Sequence, residues 1–134
     1  MRDNQDAAFR AMVQKALEKG TARLREQMKD IGSPELRADP EGAERSYQSG
    51  HLALALLALV KGGVPKDDEI VQRGYAELRK RTLVDTYTLG NAIMAIEALY
   101  APPSEFGDLK MGTIDQPRKR TPSPEDKAVL QKWT

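Results

Sequence analysis

Apolar positions along the chain fall into two kinds of stretch, and they alternate. In residues 5–29, Phe9, Val13, Leu17, Leu24 and Met28 recur at helical spacing with Arg, Lys and Glu between them, which predicts an amphipathic surface helix. Residues 46–63 read SYQSGHLALALLALVKGG, with no polar residue from 52 to 60. Leu and Ala are strong helix formers and only Val60 is β-branched, so this run predicts a helix apolar all round and buried on most sides. Ser46 or Ser49 can cap its start, and Gly62 and Gly63 before Pro65 mark its end. A second amphipathic helix follows, opened by Asp67 or Asp68, with Ile70, Val71, Gly74, Tyr75 and Leu78 on one face. A second apolar helix is predicted from about 85 to 100, stopped by Pro102 and Pro103. Residues 104–123 read as loop, and Pro124 opens a last short helix through Trp133.

This order is a repeat. Lys19, Gly20, Ala22, Leu24 and Arg25 are matched 54 positions later by Arg73, Gly74, Ala76, Leu78 and Arg79. Tyr47, Gly50, Ala58 and Leu59 are matched 40 positions later by Tyr87, Gly90, Ala98 and Leu99. Glycine inside a helix costs about 1 kcal/mol against alanine, so its recurrence predicts close helix–helix approach. A third copy starts near the end, where residues 129–133 align with 70–74. Units of this kind bury their faces against neighbours, so the pattern predicts either self-association or the missing remainder of a longer chain. The whole reads as a single all-α domain over 1–134: a first hairpin at 5–63, a second at 64–103, and a loop with the start of a third unit at 104–134.

Composition narrows the partners more than the chemistry. A formal net charge of +1 gives no reason to expect nucleic acid or an acidic membrane. The absence of cysteine excludes disulfides, thiolate nucleophiles and cysteine metal sites. Residues 1–6 are polar and hold no secretory signal, so the default expectation is cytoplasmic, and nine apolar residues are too few to span a bilayer.

The residues RGYAELR at 73–79, followed on the next helix by Tyr-x-x-Gly-x-x-x-(Leu/Met)-Ala-(Leu/Ile), resemble the α/α-toroid superfamily of squalene/hopene cyclases and protein prenyltransferase β subunits. The phrase HLALALLALVKGGVPKDD at 51–68 looks most like bacterial squalene-cyclase-like repeat proteins of unknown activity. The resemblance covers residues 7 to 103 and implies tandem helical hairpins in an incomplete ring, apolar helices inside and amphipathic helices outside. Its catalytic motifs do not carry over. Asp67 and Asp68 follow Pro65 rather than completing an Asp-x-Asp-Asp acid, no cysteine is present for zinc, and the Gln-x-x-x-Gly-x-Trp motif survives only as Gln27 and a displaced Gly32.

Candidate ligand-binding residues lie on the apolar helices. Tyr47 and His51 share a helix face, as do Tyr87 and Asn91, and the repeat makes His51 and Asn91 equivalent. With Gln48, they are placed to line the amino-terminal mouth of an inner ring, where helix dipoles favour an anionic group on an apolar ligand. Hydrogen bonds from Tyr and His to neighbouring loops are the alternative. Glu97 replaces Leu57 of the first unit; it either reaches solvent, pairs with an arginine, or serves as a general acid. His51, the one histidine, cannot build a metal site alone, and no cofactor is expected. Asp67, Asp68 and Glu69 sit where carboxylates cap a helix, and Arg118, Lys119 and Arg120 read as a solvated loop.

Three functions fit these residues. One is a non-catalytic helical repeat module that binds a partner or ligand through its inner face. Another is a fragment of an isoprenoid-processing enzyme whose catalytic residues lie elsewhere. The third is a stand-alone structural four-helix bundle.

Overall fold

A computed structural model describes residues 2–31 and 43–134, with side chains from 5–31 and 48–134. Six helices and no strand are present among the described residues: α1 (Arg2–Met28), α2 (Ala43–Lys61), α3 (Glu69–Lys80), α4 (Thr86–Tyr100), α5 (Glu105–Met111) and α6 (Pro124–Trp133). The chain is all-α.

Helix ends follow local chemistry. α2 stops at Lys61 in a Schellman motif: Gly63 takes φ 91°, Val64 donates to the Leu59 carbonyl and Gly63 to that of Val60. Asp68 caps α3, its carboxylate accepting from the backbone N–H groups of Ile70 and Val71. Asp85 caps α4 and Ser123 caps α6, in each case accepting from a backbone N–H three residues on. α2 begins at Ala43, three residues ahead of Ser46, so neither Ser46 nor Ser49 is its cap.

α2 packs against α1, α3 and, most extensively, α4; α6 packs against α4. The core is built from Leu52, Leu56 and Leu59 of α2, Val71, Tyr75 and Leu78 of α3, and Ala92, Ala95 and Ile96 of α4. Met28 and Trp133 close it from the two ends of the chain. Close approach is what two of the four repeated glycines allow. A Cβ on Gly74 would lie 2.6 Å from Leu56 Cδ2, and one on Gly50 would lie 3.1 Å from Thr88 Oγ1. A Cβ on Gly20 or Gly90 would meet nothing within 4 Å.

The two apolar helices are less covered than their composition predicts. Leu54 and Ala58 of α2 and Ile93 and Met94 of α4 are exposed, so each helix keeps a bare side. The first half of α1 differs further from expectation, since Phe9, Val13 and Leu17 do not pack on the core. Length explains it: 27 residues of α1 run about 40 Å, whereas the 19 of α2 run about 28 Å.

The segment after α4 is more ordered than a Pro/Gly loop. Residues 105–111 form α5, ended by Gly112 at φ 71°. Arg118 and Arg120 are not simply solvated. Arg118 pairs with Asp108 at 2.9 Å, and Arg120 forks between Glu105 and Glu97.

Candidate functional site

The repeat places corresponding residues of α2 and α4 in three kinds of surroundings. Leu52 and Leu56 are buried, as are their counterparts Ala92 and Ile96. Leu54 is 37% exposed and its counterpart Met94 48% exposed. Five further pairs swap. Gly50 and Ala53 are buried while Gly90 and Ile93 are exposed; Thr88, Asn91 and Ala98 are buried while Gln48, His51 and Ala58 are exposed. Contact of Gly50 with Thr88 explains the swap, because 88, 91, 95 and 98 share one helix face and that face is turned to α2. The face they would match on α2 is turned away from α4. The site therefore consists of a bare apolar strip, Leu54 with Met94, flanked by Ile93 on one helix and Ala58 on the other.

Among the residues singled out from sequence, Gln48 and His51 are exposed on α2 and Tyr87 is 54% exposed on α4. The side chain of Tyr47 lies outside the described residues. Asn91 is buried, and its Nδ2 has no hydrogen-bond partner among the described residues. His51 and Asn91 thus occupy equivalent places in sequence but opposite surroundings in space, one open and one enclosed. Glu97 lies six residues beyond Asn91, about 9 Å along the axis, and belongs to a different cluster. Its carboxylate accepts from Arg120 Nε at 2.5 Å.

That cluster gathers at the carboxyl end of α4. The guanidinium of Arg120 grips Glu105 and holds its carboxyl at about 2, despite the opposing cost of burial; the Arg118 backbone N–H adds a further bond. Lys66 donates to the carbonyls of Leu99 and Ala101, filling acceptors that the end of α4 leaves open. Burial, then the charges of Lys61 and Arg120, lowers its pKa. A cavity of about 1050 Å³ lies beside it, lined by Val60, Val64, Ala98, Pro102 and Phe106.

Sequence reading missed a second cluster. Asp126, fully buried, takes two bonds from Arg79 (2.7 and 3.0 Å) and one from the Tyr100 hydroxyl at 2.5 Å. Burial pushes the Asp126 carboxyl up, but Arg79 and Tyr100 together outweigh it and hold it below the ordinary value. The repeat held a signal for it. Arg25, 54 positions before Arg79, pairs at 2.6 Å with Asp68 at the N-cap of α3, and Arg79 pairs with Asp126 in the first turn of α6. Arg73 donates to the Lys29 carbonyl at the end of α1, and Lys132 and Trp133 donate to the Arg79 and Arg81 carbonyls at the end of α3. α6 is thus tied to the end of α3 by bonds like those that tie α3 to the end of α1.

The chain matches no family model, no curated protein and no solved structure. Among the described residues no group of three His, Cys, Asp or Glu side chains is placed to hold a metal ion. Nor is any helix there long and apolar enough to cross a membrane.

Proposed function

We propose that this protein is a helical repeat module, of the kind its motifs resemble in squalene-cyclase-like proteins, and that it binds rather than catalyses. Its ligand is the hydrocarbon chain of a small molecule or the apolar face of a partner helix. The binding surface is the inner side of α2 and α4. One observation carries this reading: Leu54 and Met94, equivalent residues of two apolar helices, are both left bare while Leu52 and Leu56, and their equivalents Ala92 and Ile96, are buried. A folded chain gains nothing from exposing large apolar side chains at the same place in both units, whereas a binding surface requires it. The acid that an isoprenoid-processing enzyme would need is not free here, since Glu97 is engaged by Arg120.

The test is a thermal-shift titration with isoprenols and isoprenyl diphosphates against the wild type and a Leu54→Glu, Met94→Glu double variant. Both sites are exposed, so the double variant should unfold within a few degrees of wild type without ligand. Ligand that binds only the folded state stabilises it by about 2.7 kcal/mol at a hundredfold excess over Kd. The wild type should show that rise and the double variant should not. Equal responses from the two proteins, or no response to any apolar chain, would remove the inner face as the site.

A further inference from the structure

α1 carries an apolar stripe that its own fold leaves uncovered. Residues 5–20 of this helix are exposed throughout, and Phe9, Val13, Leu17, Gly20 and Leu24 recur at spacings of three, four and seven along one face. Phe9 is 65% exposed. Beside the second half of the stripe, α1 and α2 frame an apolar groove of about 520 Å³, lined by Val13, Leu17, Gly20, Leu24 and Ala58. It is open at Gly20, where a Cβ would find nothing within 4 Å. One helix face therefore carries both a projecting ring and a vacant recess, eleven residues and about 16 Å apart.

We infer that the occupant of this groove is a second copy of the chain. Two α1 helices pair antiparallel about a two-fold axis through Val13, and each Phe9 ring enters the recess of the other copy. In that register Phe9 stands opposite the other copy's Leu17, and because helical side chains lean toward the amino end its ring covers that copy's Gly20, with the Asp6 carboxylate one turn further on. Arg23 lines the groove there and meets the incoming carboxylate. A two-fold pairing uses the same patch twice and closes at two copies. Head-to-tail stacking, which a repeat would otherwise favour, needs an outer helix laid on α4. α6 already holds that place, packed on α4 and tied to it by the bond from the Tyr100 hydroxyl to Asp126. This inference uses neither Leu54 nor Met94, shares only the bordering Ala58 with their strip, and stands whether or not those bind a ligand.

The chain contains no cysteine, so single cysteines report cleanly on the register. Under mild oxidation Val13→Cys should link into a dimer by itself, because the axis brings each copy's residue 13 against its twin within disulfide reach. Phe9→Cys alone and Leu17→Cys alone should stay unlinked, while their mixture should link one of each. In light scattering the wild-type mass should double with concentration. Val13→Asp should stay at the monomer mass with unchanged circular dichroism. A wild type that remains monomeric would overturn the pairing and leave the face to a different partner. Masses climbing past the dimer would overturn it in favour of head-to-tail growth. Linking of Phe9→Cys to itself as readily as to Leu17→Cys would overturn the register.

Discussion

Gly74 and Gly90 both sit inside helices, yet the two positions have opposite requirements. At Gly74 a methyl group would run into Leu56, which is fully buried and has nowhere to move, with Met28 Cε also close at 3.3 Å. Gly74→Ala should lower stability by about 1–3 kcal/mol through overpacking. Gly90→Ala should raise it by roughly 0.5–1 kcal/mol, because the space is open and alanine loses less backbone entropy. Urea unfolding of the two variants beside wild type measures both signs. The two acids that meet Arg25 and Arg79, near the starts of α3 and α6, differ in the same way. Asp126→Ala strands Arg79 beside a buried site and should cost about 3–5 kcal/mol. Asp68→Ala should cost about 1 kcal/mol, since Arg25 is half-exposed and the loss is mainly that of a cap. Melting temperatures of the pair rank them.

At the scale of elements, the segment from α5 to α6 is held by ion pairs more than by apolar contact. Phe106 and Met111 of α5 are largely exposed, whereas Glu105 is buried against Arg120. Acid should loosen this region first. The folded Glu105 carboxyl is held at about 2 against an ordinary 4.5, so on acidification through that window the unfolded chain takes up a proton that the folded chain refuses. The contribution of Glu105 is complete above pH 4.5 and is lost as pH falls toward 2. Asp126 and Asp68, whose carboxyls are also lowered, act with the same sign. Glu105→Gln should melt lower than wild type at neutral pH and show a shallower decline in acid. Scans of melting temperature against pH would show an unchanged slope if this pair contributed nothing. α5 is not legible in the sequence because the eight residues between Pro103 and Gly112 hold too few apolar positions to show a helical period. Its order comes from the charges around it.

For the whole molecule, the arrangement is that of a repeat whose successive units meet unequal neighbours. α2 is flanked by α1, α3 and α4, and its Gly50 face is filled by Thr88 and Tyr87; the Gly90 face of α4 is open among the described residues. The same reasoning accounts for His51 and Asn91, equivalent in sequence but exposed and buried respectively. Any binding role follows from the surfaces left over, the Leu54 and Met94 strip and the α1 groove, which adjoin at Ala58.

The longer helices were legible from the residues alone, because the Asp68 cap, the Gly62 and Gly63 stop, Pro124 at the start of α6 and the apolar period act within a few positions along the chain. The correspondence of Gly50 with Gly90 and of Arg25 with Arg79 was legible too, since a repeat is a property of the string. Which member of each pair is covered was not. Burial depends on what arrives from a distant part of the chain: Leu56 on Gly74, Arg79 on Asp126, Arg120 on Glu97 and Glu105. Local pattern fixes which faces are apolar, and only the packing of one element on another decides which of them stays bare.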